Sequence, residues 1–193
     1  VALVRAGLVL GESELVDAGA ATVQSVLDNN RVGERLLRST TDGKPGPGVA
    51  GLADYAALIR ALEELHQVVG VGSHELTRAR LLPLIEELFD TARGLFVRDG
   101  HVHDHAPDAL VPASGANPAD SVVPCGRTAF AEVALLLSVL SPESGGKADR
   151  VARELLTAGR PFMQSMPTAA GWQAFVAMRV NVPRVSTADP GLA

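Results

Sequence analysis

Residues 52–69 read LADYAALIRALEELHQVV, and apolar side chains recur along this stretch at helical spacing. The apolar stripe has six positions and is widened by two more: Leu52, Tyr55, Ile59, Leu62, His66 and Val69, with Leu58 and Leu65 beside them. A helix that is apolar around so much of its circumference is predicted to pack on two sides. The prediction of the fold starts from this helix and depends on how its neighbours differ from it.

The predicted helices alternate between two kinds. Amphipathic helices begin at Glu12, His74 and Lys147, and more apolar helices begin at Leu52, Gly126 and Thr168. In an α/α toroid the outer helices expose one face to solvent, and the inner helices are buried on both faces. The alternation therefore predicts an all-α fold, a partial α/α toroid built from helical hairpins. A plain helical bundle is the alternative, and it explains the apolar stripes but not the alternation.

Three local signals refine this picture. Ser73 is predicted to cap the helix that follows it. Pro83 removes a backbone donor and is predicted to kink or divide the same helix. Residues 97–124 contain many Gly, Pro, Asp and Asn residues, which predicts a β-hairpin or long-loop insert. Insertions of this length in a helical domain are often functional.

The chain is predicted to contain one domain over residues 1–182, followed by a tail over residues 183–193. Within the domain, residues 36–39 are predicted to form a short strand, and residues 41–49 (TDGKPGPGV) a loop. The sequence opens without methionine in an apolar helical pattern over residues 1–10 that has no N-cap. We therefore expect a fragment of a larger protein.

Composition excludes several classes of function. The 193 residues carry a net charge of −5 and only 4% aromatic residues, with no run of Lys or Arg, so we expect no nucleic-acid partner. A single cysteine, Cys125, excludes an internal disulfide framework and fits a reducing cytoplasm. No apolar run reaches membrane-spanning length, so we expect no membrane partner. No cofactor is predicted.

Four short segments occur in an order that resembles a known family. They are AGLVLG over residues 6–11, RLLRS over residues 35–39, GLADYAAL over residues 51–58, and DSVVPCGRT over residues 120–128. The chain resembles the spermatogenesis-associated protein 20 family from about Val1 to about Asn181. The resemblance implies the later part of a C-terminal α/α toroid, similar to those of N-acylglucosamine 2-epimerases and six-hairpin glycosidases. It also implies an N-terminal thioredoxin-like domain elsewhere in the protein.

The segment around residue 125 departs from the family pattern. Pro124-Cys125-Gly126-Arg127-Thr128 stands where the family usually has Pro-Ser-Gly-Asn-Ser. Cys125 therefore replaces a serine, and Arg127 replaces an asparagine. Because these residues open a predicted inner helix, the departures favour a function other than the chemistry of the related enzymes.

The starts of the predicted inner helices supply the candidate ligand-binding residues. Backbone N–H groups at a helix start favour anions and hydroxyl groups, and the three starts are predicted to lie at one end of the toroid. The candidates are Asp54, Tyr55, Asp120, Cys125, Arg127, Thr128 and Trp172, with Thr168 and Ala170 beside them. Ordinary helix capping is the alternative. Two acidic candidates, Asp54 and Asp120, would resemble a glycosidase pair if they met.

Three histidines give a separate signal. His101, His103 and His105 share one face of a strand, so they could hold a divalent metal. An exposed polar hairpin and a sugar contact are the alternatives. His66 lies on an apolar stripe and is predicted to be a core residue. The adjacent pairs Glu63-Glu64 and Glu86-Glu87 are predicted to lie on solvated faces.

Three functions follow from these patterns. The first is a carbohydrate-binding or carbohydrate-processing toroid with a small carbohydrate as ligand. The second is a non-catalytic scaffold for the thioredoxin-like domain in the N-terminal part of the same protein. The third is a metal-dependent activity at the histidine hairpin. Open toroid edges also predict a homodimer, since exposed apolar faces mark interfaces. We expect the fragment alone to be catalytically inactive.

Overall fold

The computed structural model describes residues 1–68, 70–72, 77–98, 101–107 and 115–180. Most of these residues are helical, which confirms the all-α prediction. The helices are α1 (Ala2–Leu10), α2 (Ser13–Asn30), α3 (Leu52–Gln67), α4 (Arg78–Phe96), α5 (Gly126–Leu140), α6 (Gly145–Ser165) and α7 (Gly171–Arg179). A short 3-10 helix, Pro167–Ala169, precedes α7.

Six two-residue strands pair into three antiparallel hairpins within the described part of the chain. They are β1 (Arg31–Val32) with β2 (Arg35–Leu36), β3 (Thr40–Thr41) with β4 (Lys44–Pro45), and β5 (Val97–Arg98) with β6 (His101–Val102). The third pair confirms strand pairing at the start of the predicted insert over residues 97–124, of which residues 99–100 and 108–114 lie outside the described residues.

The chain divides into two compact units, Val1–Asn117 and a second that begins at Pro118. The single domain over residues 1–182 stays a prediction, and the tail over residues 183–193 lies outside the described residues. None of the helices described here has both the length and the apolar character needed to cross a lipid bilayer.

In the first unit, α1 packs against α2 and α3 packs against α4. Small residues allow α1 and α2 to approach closely, because a Cβ added at Gly19 would lie 2.8 Å from Cγ2 of Val4. The predicted stripe of α3 is buried over residues 52–66, including Leu52, Ile59 and Leu62, and its last position, Val69, lies outside the described residues. The prediction that this helix packs on two sides is borne out by its burial.

The segment between α2 and α3 corrects two predictions. Leu36 belongs to β2, and Leu37 pairs with Val49 in an isolated bridge, so the predicted strand over residues 36–39 is only partly formed. The predicted loop over residues 41–49 overlaps the β3–β4 hairpin, which spans residues 40–45. Asp42 and Gly43 turn this hairpin with φ values of 52° and 72°, the left-handed conformation that an Asp-Gly dipeptide favours at tight hairpins.

Pro83 does not divide α4, which is one continuous helix from Arg78 to Phe96. The division was predicted from a lost backbone hydrogen bond, but proline removes only one such bond. Leu81 and Ile85 flank it and are fully buried, so packing holds both sides of the helix together. The predicted cap at Ser73 and the predicted start at His74 lie outside the described residues.

In the second unit, α5 packs against α6, and α7 contacts both. The apolar face of α5 is buried, including Phe130, Val133 and Leu137. The predicted last helix begins later than expected. Thr168 lies in the 3-10 helix and Ala170 is the N-cap of α7, because the chain makes a tight turn at Pro167 before the α-helix starts.

Candidate functional site

The carboxylate of Asp120 joins the starts of two helices in the second unit. Its Oδ1 accepts a hydrogen bond from the backbone N–H of Cys125 at 3.0 Å, and its Oδ2 accepts one from that of Gln173 at 2.9 Å. The N–H of Asp120 donates to the carbonyl oxygen of Ala169 at 2.8 Å. Cys125 is the N-cap of α5 and Gln173 lies in the first turn of α7. Asp120 therefore satisfies one donor at each helix start, which would otherwise lack a partner.

Arg127 is buried, and its partner is a side-chain amide. Its Nη2 donates to Oε1 of Gln173 at 3.0 Å. The Gln173 side chain is buried over Gly159 of α6, where an added Cβ would lie 2.1 Å from its Nε2. That Nε2 atom has no hydrogen-bond partner among the described residues. The three residues therefore link α5, α6 and α7 at one buried polar contact.

Cys125 and Thr128 lie together at the start of α5. The Sγ of Cys125 is 3.2 Å from Oγ1 of Thr128 and 3.9 Å from the carbonyl oxygen of Pro118. Thr128 is buried and Cys125 is half-buried. The arrangement is that of a packed thiol with weak hydrogen bonds.

Trp172 differs from these residues because it is exposed. Its side chain is 41% exposed and Phe175 is 46% exposed. The two rings meet edge to face with centroids 6.3 Å apart. Arg179 lies over the Phe175 ring at 5.6 Å and donates to Glu132 at 2.9 Å. The solvent-exposed face of α7 therefore presents two aromatic rings beside an ion pair.

Asp54 lies in the first turn of α3, in the first unit. Its Oδ2 accepts a hydrogen bond from the backbone N–H of Gly51 at 2.9 Å and lies 3.8 Å from Nε of Arg38. Asp54 is half-buried and lines a cleft of about 740 Å³ between α1, α2, β2 and α3. It is the one predicted ligand-binding residue that lines this cleft.

Tyr55, the next candidate, is buried and serves the fold. Its hydroxyl accepts a hydrogen bond from the backbone N–H of Leu36 at 2.9 Å, which holds the β1–β2 hairpin against α3. Its ring packs edge to face on Phe96 with centroids 5.6 Å apart. Only 1% of the residue is exposed, and a ligand contact for Tyr55 stays a prediction.

The Tyr55→Phe substitution is expected to lower the free energy of unfolding by about 1 kcal/mol, because it leaves the buried N–H of Leu36 without an acceptor. Urea unfolding followed by circular dichroism measures the change. Phe175→Leu, on an exposed face, is the control. Equal midpoints for Tyr55→Phe and the wild type would show that the hydroxyl does not hold the hairpin.

The structure describes all three histidines of the predicted metal site, and metal binding by them stays a prediction. His101 lies in β6 opposite Arg98, and His103 pairs with Gly115 in an isolated bridge. Among the residues that can be described, no group of three or more His, Cys, Asp or Glu side chains is arranged to hold a metal ion. Three ligands on one short extended segment cannot readily surround an ion.

A buried cluster of charges in the first unit was not predicted. Glu64 of α3 accepts hydrogen bonds from Nε of Arg5 at 3.0 Å and pairs with Nη2 of Arg60 at 2.6 Å. Glu63 is 0% exposed and lies 3.9 Å from Nη1 of Arg60. The predicted solvated face is therefore wrong for Glu63-Glu64. The spacing of Arg60 three and four residues before them was the available signal.

His66 is buried, as predicted for a core histidine. Burial, together with the nearby Arg78 cation, lowers the pKa of its imidazole below 6.5. The unfolded chain therefore binds this proton more readily than the folded chain does. The free energy of unfolding is expected to fall as the pH drops through 6.5 towards the lower folded pKa.

His66→Leu is expected to reduce the stability difference between pH 7.5 and pH 5.5, because it removes this proton-binding site. Urea midpoints at the two pH values measure the effect, and His101→Leu, at an exposed position, is the control. An unchanged pH dependence in His66→Leu would assign the effect to other groups.

The structure brings together the candidates at the starts of α5 and α7. Asp54 belongs to the first unit, where it lines the cleft. The predicted meeting of Asp54 with Asp120 stays a prediction. No family model, no curated protein and no solved structure matches this chain.

Proposed function

We propose that the chain is a non-catalytic helical scaffold. The observation that carries this proposal is the carboxylate of Asp120, both of whose oxygens accept backbone hydrogen bonds at 3.0 and 2.9 Å. A general acid or base must exchange a proton with a substrate, whereas this carboxylate is held by two helix starts. Arg127 is likewise committed to Gln173.

We further propose that the helices belong to an α/α toroid. Pairwise packing of α1 with α2, α3 with α4, and α5 with α6 supports this architecture, since a toroid is a series of such hairpins. The proposed partner is the N-terminal thioredoxin-like domain implied by the family resemblance. Cytoplasmic location is part of the proposal and is supported by the free thiol of Cys125.

The end of α1 offers an apolar surface for such a partner. Leu8, Val9 and Leu10 are all exposed, and Val9 is 85% exposed. Three consecutive large apolar side chains in water are typical of an interaction surface. A second copy of the chain could cover the same residues and form the predicted homodimer.

The scaffold is tested by titrating the thioredoxin-like domain of the parent protein into this chain in a calorimeter. We expect saturable binding that is weakened roughly tenfold by Val9→Ser, since an exposed valine contributes on the order of 1 kcal/mol when buried. Val122→Ser is the matched control because Val122 is 93% exposed and lies outside α1. Absence of binding would overturn the scaffold. If instead the molecular mass in solution rises with concentration for the wild type and for Val122→Ser but not for Val9→Ser, the surface belongs to a homodimer.

Carbohydrate binding is the second candidate, and the exposed rings of Trp172 and Phe175 favour it. Flat apolar rings beside polar groups suit a ligand with both apolar and hydroxyl-bearing faces. Arg179 and Glu132 supply the polar groups at this face.

A thermal-shift screen with mono- and disaccharides and amino sugars tests this candidate. A rise in unfolding temperature with one sugar that Trp172→Ala abolishes and Met178→Ala retains would support it. Met178 is the control because it is exposed on the same helix. A shift lost in both variants or in neither would count against this site.

A further inference from the structure

We propose that the cleft of the first unit binds one medium-chain carboxylate, with the hydrocarbon tail along its apolar walls and the carboxylate on Arg38. Neither the scaffold function nor the exposed rings of α7 involves this cleft. The inference rests on three observations: the volume of the cleft, the character of its walls, and the availability of one cation at its rim.

The walls of the cleft are aliphatic. Val23 and Val26 come from α2 and Leu58 comes from α3. Leu36 is the last residue of β2, and Leu37 follows it. The volume of about 740 Å³ lies within the usual range for small-ligand sites. A hydrocarbon tail buries its own apolar surface against such walls, and that burial is the main source of its affinity.

Most polar groups at the rim are already bonded to the backbone. Thr22 donates to Ala18 at 2.8 Å, and Thr40 donates to Asn29 at 3.2 Å. The amide of Asn30 donates to Leu37 at 3.3 Å. These groups satisfy local backbone acceptors and do not require a ligand.

Arg38 is the exception. Its side chain is 65% exposed, and its one ion pair among the described residues is the 3.8 Å contact of Nε with Asp54. A guanidinium carries five donors in a planar fork that matches a carboxylate. The two Nη groups are therefore available to an anionic head group, while Asp54 holds the Nε side.

The charge of the head group follows from the same geometry. Asp54 already accepts the N–H of Gly51 at 2.9 Å and lies beside Arg38, so it has less capacity for a cationic ligand. A neutral head group would leave the fork of Arg38 without an anion. An anionic amphiphile uses both the cation and the aliphatic walls.

The test is a titration of the chain with decanoate, decanol and decylamine, each below the concentration at which it forms micelles. Methyl NMR shifts of Val23, Val26, Leu36 and Leu58 report where the probe binds, and the titration gives its affinity. We expect decanoate to shift these methyl signals and to bind more tightly than the other two probes. Added salt is expected to weaken decanoate binding, because the ion pair is exposed to solvent.

Two variants separate the head group from the tail. Arg38→Gln is expected to weaken decanoate binding roughly tenfold, to the affinity of decanol, and Arg153→Gln in the second unit is the matched control. Ala57→Phe fills the cleft from its exposed rim and is expected to abolish binding of both probes. Equal affinity for decanoate and decanol in the wild type would overturn the assignment of the carboxylate to Arg38. Absence of methyl shifts with any probe, or tighter binding of decylamine, would overturn the proposal as a whole.

Discussion

Replacing Asp120 by alanine is expected to lower the free energy of unfolding by about 3 kcal/mol. The carboxylate accepts the N–H groups of Cys125 and Gln173, and each bond to a charged acceptor contributes about 1.5–3 kcal/mol. Asp120 is half-buried, so water replaces part of the loss and the lower half of the summed range applies. Urea unfolding monitored by circular dichroism measures the change.

Asp120→Asn refines the expectation. An amide has one acceptor oxygen, so it can serve one helix start but presents N–H groups to the other. We expect the free energy of unfolding of Asp120→Asn to lie between that of the wild type and that of Asp120→Ala. Asp28→Ala, which removes an exposed contact with Gln24, is the control and should change stability by less than about 0.5 kcal/mol. A small effect at Asp120 would mean that water replaces its carboxylate at both helix starts, and would remove the main support for the scaffold.

Gly159→Ala is expected to lower the free energy of unfolding by about 2 kcal/mol. Helix propensity alone predicts the opposite sign, since alanine is better than glycine in a helix interior by about 0.5–1 kcal/mol. The added methyl group would lie 2.1 Å from Nε2 of Gln173, so the buried amide must move and its bond to Arg127 is lost. Overpacking and the lost hydrogen bond together outweigh the gain in propensity.

A double-mutant cycle tests this cause. In a Gln173→Ala background the clash is absent, so Gly159→Ala should there be neutral or stabilising. Gly146→Ala, where an added Cβ meets nothing within 4 Å, is the helical glycine control. An equal loss in both backgrounds would show that the amide of Gln173 is not what excludes a side chain from residue 159.

The helices were predictable because their apolar periodicity extends over many residues. α3 and α5 were predicted at their observed starts, Leu52 and Gly126. The β3–β4 hairpin was missed although Asp42-Gly43 signals it, because the Gly- and Pro-rich composition around this dipeptide favoured a loop. Pro83 was expected to kink or divide α4, and the burial of its neighbours, a tertiary effect, keeps the helix undivided.

The candidate residues show a different limit of sequence reasoning. Asp120 was selected because it precedes a helix, and one of its two acceptor bonds follows from that position. The other depends on Gln173, which only the packing of α7 beside α5 brings near. The burial of Arg127 has the same origin. No spacing along the chain indicates a contact between residues so far apart in sequence.

The start of α3 has a consequence for hydrogen exchange. The first amide groups of a helix usually have no partner and exchange rapidly with deuterium. Here the N–H of Leu52 donates to the carbonyl oxygen of Asp104 at 3.1 Å, and that of Gly51 donates to Asp54. Deuterium uptake at these two amides should therefore be slow, and uptake at Leu52 should report the opening of the segment after β6 rather than fraying of α3 itself.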